Sequence, residues 1–210
     1  MRRVLTALSA LTVVGLSAAP RAAQPPADSF DQLYARGQRV NASIRTLTAS
    51  FTETTASALL VQPLVARGTL AVERPSRVVL RYAEPNVRTV LIENGRMTTT
   101  WPTQQSLDVG AAMSRVERTF VNGTAKDLRE QFTVDDTQAS DRPGTRRVVL
   151  TSRQRRIREG LSSLELWVDQ KTSLLAAMRL VFPNGDSKLM IFSDVTPNPA
   201  LAPDTFTLDH

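Results

Sequence analysis

GTLAVERPSRVVLRYAEPNVRTVLIENGRMTTTWP, residues 68–102, contains the pattern that decides the fold. Alternate residues of a strand face opposite sides of its sheet, so Leu70, Val72 and Arg74 are predicted to share one face. A cation therefore continues an apolar face. Because an unpaired charge is costly to bury, we expect Arg74 to find partners close to that surface.

Similar short runs with a period of two recur along the chain and are separated by turn signals such as Pro75, Pro85 and Asn94-Gly95. These connections are too short for crossover helices, so neighbouring strands are predicted to be antiparallel. Strands are predicted from Leu47, and then over Leu59–Glu73 (split by Pro63), Arg77–Tyr82, Val87–Glu93, Arg96–Trp101, Arg146–Thr151, Leu161–Val168, Leu175–Phe182 and Lys188–Ser193, with Thr205–Leu208 as a last edge strand.

Two stretches have helical rather than strand periodicity. The first begins at Asp28 and has apolar residues at helical intervals from Phe30 to Ile44. The second covers residues 111–121 and stops at Asn122-Gly123, with a further short turn expected up to Gln131. This inserted helix has two interpretations, which are a segment that completes the core and a lid over a cavity.

The first residues have the form of a secretory signal. Arg2 and Arg3 precede an apolar run from Val4 to Leu16, and small residues follow. This run is too short to span a bilayer. We expect residues 1–23 to be a signal peptide cleaved between residues 18 and 23, and residues 24–210 to form a single exported domain.

Charge gives little reason to expect nucleic acid as a partner. The chain has 26 basic and 20 acidic residues, a net charge of +6, and loss of the three leader arginines would leave +3. The main basic cluster, Arg153 to Arg158, is either the solvated edge of a hairpin or a contact for anionic lipid headgroups or an acidic partner. We expect no nucleic-acid partner.

Residues suited to catalysis are scarce. The single histidine is the terminal His210, and the chain has no cysteine. A Ser-His-Asp triad, a Cys-His pair, a histidine-rich metal site and a disulfide framework are therefore ruled out by the sequence. Paired carboxylates such as Asp135-Asp136 lie in turn-like settings that are typical of solvated surface. We predict a protein that is not an enzyme and has no cofactor, metal or catalytic residue.

Several motifs together resemble one known family. They are LTASFTETT at 47–55, GTLAVERPSRVVLRY at 68–82, VLIENG at 90–95, MTTTWP at 97–102 and the long run from Leu166 to Leu208 that contains FSDVTPNPALAPDTF. Their order and spacing resemble the LolA family of periplasmic lipoprotein carriers over Phe30 to Leu208. Val78 and Leu80 stand where the family often has bulky aromatic residues.

The resemblance implies a mainly β (α+β) fold, an incomplete antiparallel β-barrel with an N-terminal helix and an inserted helical lid. It implies that Arg74 points inward and hydrogen-bonds backbone carbonyls of the lid helices, which would hold the empty form closed. It also implies a lipid-binding wall made of Phe51, Leu70, Val72, Val78, Leu80, Tyr82, Met113, Val116, Phe120, Leu180 and Phe182.

The function implied is that of a periplasmic carrier chaperone. It would shelter the acyl chains of lipoproteins and pass them from an inner-membrane ABC-type exporter to an outer-membrane acceptor lipoprotein, acting as a monomer. Two alternatives remain. The cargo could be a non-protein lipid, such as a glycolipid, a hopanoid-like lipid or a phospholipid, or the domain could sense lipid and transport nothing.

Overall fold

The protein forms a single antiparallel sheet of eleven strands in a computed structural model that describes residues 30–102, 104–110, 125–136 and 140–208. Three helices accompany the sheet within these residues: α1 Phe30–Ala42, α2 Ala125–Gln131 and α3 Arg155–Arg158. The strands are β1 Thr46–Ala56, β2 Leu64–Glu73, β3 Arg77–Glu84, β4 Arg88–Glu93, β5 Arg96–Trp101, β6 Gln104–Gly110, β7 Phe132–Asp135, β8 Thr145–Ser152, β9 Ser163–Asp169, β10 Leu175–Val181 and β11 Ser187–Pro197.

The strand order explains why the sheet remains open. It runs β6-β5-β4-β3-β2-β1-β11-β10-β9-β8-β7, so β6 and β7 are its two edges, and the pairing of β1 with β11 joins an N-terminal half to a C-terminal half. The prediction of a mainly β, open antiparallel fold with an N-terminal helix is confirmed. The predicted lid, residues 111–121, and the predicted signal peptide lie outside the described residues.

Two predicted strand segments were wrong. Of the run Leu59–Glu73, which was predicted to be split by Pro63, the part after Pro63 is β2, whereas the part before it is a turn in which the amide of Leu60 bonds the Ser57 carbonyl. The predicted edge strand Thr205–Leu208 is a series of turns, in which the amides of Thr205 and Thr207 bond carbonyls three residues earlier. The segment does not pair with a neighbouring strand. Its apolar residue Phe206 is buried because it packs on the sheet with Ala71 and Val79.

Three short elements were not predicted, and each lacks a clear periodicity. Strand β7 has only four residues, and α3 is a single helical turn inside the β8–β9 connection. Strand β6 is largely polar in sequence and owes its conformation to its antiparallel register with β5. The basic cluster that was expected on a strand or hairpin edge lies instead on and beside α3.

The two sides of the sheet differ in what covers them. We call the side that carries Phe51, Leu70 and Leu80 the inner face, and the side that carries Ala71 and Val79 the outer face. The C-terminal residues cover the outer face of β2 and β3, where Phe206 packs with Ala71 and Val79.

Helices α1 and α2 lie over the inner face of the C-terminal half. Phe30 and Leu33 of α1 and Leu128 of α2 pack against Val148 and Leu150 of β8. Burial of these five side chains fixes the helices to one half of the sheet, since each buried aliphatic or aromatic side chain contributes about 1.5–3 kcal/mol.

On the outer face of the same half, Trp167 is fully buried at 0 % exposure. Its indole Nε1 donates to Asp141 Oδ1 at 2.6 Å, and this hydrogen bond is the main cause that lowers the pKa of Asp141. Three guanidinium groups lie 5.2–5.5 Å from the ring centroid, those of Arg142, Arg147 and Arg179. This outer cluster is structural and leaves the inner face as the candidate ligand surface.

Candidate functional site: the inner face of the sheet

The centre of the inner face is an aromatic pair on β1 and β3. Phe51 and Tyr82 are 2 % and 6 % exposed, and their rings meet edge to face with centroids 4.9 Å apart. Five strands bring together the other members of this cluster, which are Ala66, Leu70, Leu80, Val90, Met178, Met190 and Phe192. The predicted wall residues Phe51, Leu70, Leu80 and Tyr82 are therefore neighbours.

Further wall residues continue this surface toward Arg74. Val72 and Val78 are directly opposite each other on β2 and β3, and Val78 is opposite Ile92 on β4. Side chains of directly opposed residues lie on the same face of a sheet. All three are only partly buried, so apolar surface is left uncovered here by the described residues.

The apolar surface also extends across the C-terminal half. Leu180 of β10 is opposite Leu164 of β9, which is opposite Leu150 of β8 in the core beneath α1. Phe182 is less central, since it lies in the β10–β11 turn, where its amide bonds the Asp186 carbonyl. Met113, Val116 and Phe120 lie outside the described residues.

Gly68 makes the centre of the inner face possible. A Cβ added at Gly68 would stand 2.8 Å from Phe51 Cζ and 2.1 Å from the backbone oxygen of Arg81. Both distances are shorter than van der Waals contact. Only glycine at this position lets β2 and β3 stay paired with the Phe51 ring lying across them.

Arg74 lies one residue beyond β2 and reaches α1. Its Nη2 donates to the side-chain Oδ1 of Asn41 at 3.2 Å, near the C-terminus of the helix. Its amide donates to the Arg45 carbonyl at 2.8 Å. The Nε atom is buried and has no hydrogen-bond partner among the described residues. Backbone carbonyls were expected as partners, either from residues 111–122, which lie outside the described residues, or from the N-terminal helix. The partner seen is on that helix, α1, but is a side chain.

A charged group interrupts the inner face at the end opposite Arg74. Glu53 is 4 % exposed, and its Oε2 accepts a hydrogen bond of 2.7 Å from the Tyr82 hydroxyl. Its Oε1 lies 3.2 Å from Lys188 Nζ and 3.8 Å from Arg88 Nη2. The Arg88 guanidinium also stacks 3.5 Å from the Tyr82 ring centroid. Sequence reasoning missed this group, although Glu53 follows Phe51 at strand spacing and could have been found as a second charge on the apolar face.

Burial raises the pKa of Tyr82 to about 12, with the hydrogen bond to Glu53 as the second cause. The phenol therefore stays protonated and donates to the carboxylate under all ordinary conditions. Two cations and one hydroxyl together compensate the buried charge, as a buried carboxylate requires.

The outer face has a pocket of a different character. It has a volume of about 590 Å³ and lies between β1, β2 and the C-terminal residues. Hydroxyl and charged side chains dominate its lining, including Ser50, Thr69, Arg81 and Asp194. A polar pocket of this kind is unsuited to an acyl chain. In the part of the chain that the structure describes, no cluster of His, Cys, Asp and Glu could hold a metal ion.

The family comparison agrees with this geometry. The model of the family described as outer membrane lipoprotein carrier protein LolA matches residues 42–209. The chain belongs to the LolA family. This membership places it in a superfamily of lipid- and lipoprotein-binding carriers. No curated protein sequence matches this LolA-family chain significantly.

Solved structures share the fold at low sequence identity. A conserved protein from Thermus thermophilus aligns with a TM-score of 0.54 at 9% identity, over 85% of this chain and 93% of the other. The MucA/MucB complex of Pseudomonas aeruginosa aligns with a TM-score of 0.52 at 13% identity, over 85% of this chain and 60% of the other. A LolA superfamily protein from Nitrosomonas europaea aligns with a TM-score of 0.45 at 10% identity, over 86% of this chain and 98% of the other.

None of the described helices of this LolA-family chain is both long enough and apolar enough to cross a membrane.

Proposed function

We propose that this protein is a periplasmic carrier that shelters the acyl chains of lipoproteins on its inner face and transfers them between membranes. The observation that carries the proposal is the continuity of that face. Apolar side chains in register run from β4 through β1 and β11 to β8, and several of them are only partly buried. An acyl chain laid along this surface would cover them.

The free energy of exposing an acyl chain explains why such a carrier is needed. Each CH₂ group removed from water contributes about 0.8 kcal/mol, so a chain of about fifteen carbons costs on the order of 12 kcal/mol when exposed. A lipidated protein cannot cross an aqueous compartment at that cost. The carrier has to offer a comparable apolar surface and still give up its cargo.

Arg74 supplies a physical route to release. Its contact with Asn41 links the end of β2 to α1. Its buried Nε–H group has no acceptor among the described residues. Hydrogen bonds to a charged group contribute about 1.5–3 kcal/mol each. Such bonds, formed in the empty state and broken when cargo separates α1 from the sheet, favour release.

The partners proposed for this function are an inner-membrane ABC-type exporter, an outer-membrane acceptor lipoprotein and the lipidated cargo. Membership of a family described as lipoprotein carriers supports this choice. The carrier acts as a soluble periplasmic monomer after removal of residues 1–23.

Mass spectrometry of what co-purifies with the protein from a periplasmic extract tests the proposed cargo. We expect triacylated lipoproteins in stoichiometric amounts. Recovery of free glycolipid, hopanoid-like lipid or phospholipid alone would replace the lipoprotein by another cargo. Recovery of the empty protein bound to a signalling partner would overturn the carrier function.

A further inference from the structure

One end of the sheet combines exposed apolar residues with cations. Four of the connections at that end are residues 57–63 between β1 and β2, 85–87 between β3 and β4, 153–162 between β8 and β9, and 182–186 between β10 and β11. In an antiparallel sheet, alternate connections lie at the same end. The pairing of Ala56 with Ser187 brings the first and last of them together. We call these four connections, with the strand ends beside them, the rim.

Apolar side chains project from the rim into solvent. Leu59 and Val61 are 93% and 107% exposed, so they contact almost nothing in the protein. Leu64, Val65 and Val87 are 43–56% exposed. Among the residues that the structure describes, these five are the most exposed large hydrophobic ones. All five lie at this end of the sheet.

Cations lie at the same end of the sheet as these apolar residues. The rim has seven cationic side chains and four carboxylates, a balance of +3: Arg67, Arg88, Arg153, Arg155, Arg156, Arg158 and Lys188 against Glu53, Glu84, Glu159 and Asp186. Arg155 and Arg156 are both exposed and project from α3. Exposed aliphatic residues beside clustered arginines are typical of proteins that bind anionic membrane surfaces.

We propose that the rim docks on the surface of an anionic bilayer. Leu59 and Val61 enter the interface between headgroups and acyl chains, while Arg155 and Arg156 pair with lipid phosphates. A bilayer fits better than a protein partner, because aliphatic side chains on residues 57–63 and 85–87 and arginines on residues 153–162 find a complementary surface in deformable lipid. Protein interfaces are instead centred on packed aromatic and arginine anchors, with Leu and Val under-represented.

This docking extends the proposed carrier function without depending on the identity of the cargo. It turns one end of the inner face, where Glu53 and Tyr82 lie, toward the membrane. An acyl chain could then pass between bilayer and inner face without a long path through water.

Sedimentation with vesicles tests the proposal. The protein, purified from periplasm with its N-terminus determined, is mixed with vesicles of phosphatidylglycerol and phosphatidylethanolamine, or of phosphatidylcholine alone. We expect binding to the anionic vesicles that weakens as salt is raised. The affinity of each double variant, Leu59→Ser/Val61→Ser and Arg155→Glu/Arg156→Glu, should fall by a factor of roughly ten or more.

A matched control separates docking from general charge attraction. Arg96→Glu/Lys171→Glu makes the same change in net charge at the opposite end of the sheet and should bind like the unmodified protein. Tryptophan fluorescence adds a positional readout, since the emission of Val61→Trp should shift to the blue on anionic vesicles and that of Lys171→Trp should not. Absence of binding to anionic vesicles, or equal loss of binding in the rim and control variants, would overturn the proposal.

Discussion

At the scale of single residues, Arg74 is the proposed link between loading and release. The predicted consequence of Arg74→Leu is a carrier that still takes up lipid but releases it slowly, because the empty state loses the bonds between the end of β2 and α1. The measurement is the rate at which a bound lipidated protein passes to an acceptor. Asn41→Ala should slow release less, since it removes only the 3.2 Å contact.

The matched control for Arg74 is Arg39→Leu, which removes an exposed arginine from α1. It should release cargo at the rate of the unmodified protein. Release from Arg74→Leu at that same rate would contradict the role given to Arg74.

Tyr82 makes a prediction about pH. Its folded-state pKa of about 12 lies above the ordinary value of 10.0, so folding favours the neutral phenol. The raised pKa of Tyr82 therefore adds to the free energy of unfolding. This contribution is complete below about pH 10 and is lost as the pH rises toward 12. In Tyr82→Phe the free energy of unfolding should lack this part of the alkaline decline, and at neutral pH it should be lower by about 1–3 kcal/mol, because Glu53 loses a buried donor.

Urea unfolding measured across this pH range provides the test for Tyr82. Tyr34→Phe is the control for the effect at neutral pH; it removes the other tyrosine, whose pKa is also raised by burial, and leaves the Glu53 group intact. If Tyr82→Phe declines with pH as steeply as the unmodified protein, burial and the bond to Glu53 do not raise the pKa of Tyr82.

At the scale of elements, the pairing of β2 with β3 depends on Gly68. Gly68→Ala should lower the free energy of unfolding by about 1–3 kcal/mol or more, because the new methyl group forces apart the Phe51 ring and the β3 backbone. Denaturant unfolding measures this loss.

Gly37→Ala is the matched control for Gly68. Gly37 lies inside α1, and a Cβ added there would meet only the Ser173 carbonyl oxygen, at 3.8 Å. That variant should be as stable as the unmodified protein, or more stable by about 0.5–1 kcal/mol because alanine favours the helix. Equal effects of the two substitutions would show that close packing at Gly68 is unimportant.

The elements also show how far the sequence determines the fold. The short connections correctly predicted antiparallel strands, and the alternation of Leu70, Val72, Val78 and Leu80 correctly predicted their shared face. The same pattern could not show that Thr205–Leu208 forms turns, since Phe206 anchors to the outer face of β2 and β3 through contacts distant in sequence.

The candidate site was predictable only in part for the same reason. The apolar wall follows from local periodicity. The Glu53 group does not, because Tyr82, Arg88 and Lys188 come from three other strands that only the sheet order brings to Glu53. The rim likewise depends on which strand connections lie at one end of the sheet.

At the scale of the whole molecule, we propose a different role for each part. In this proposal the inner face holds acyl chains, the contact between Arg74 and α1 favours the empty state, and the rim faces the membrane. The outer face is structural, with the Trp167 cluster on one half and the C-terminal residues on the other.

The most direct test of the central claim compares two adjacent residues of β2. Leu70 is on the inner face, and Thr69 is on the outer face beside the polar pocket. A photoreactive amino acid is placed at one position or the other in the cell, and the adducts formed on irradiation are identified by mass spectrometry. We expect adducts with acylated cargo at position 70 and none at position 69. Adducts at position 69 alone, or equally at both, would contradict the binding of acyl chains on the inner face.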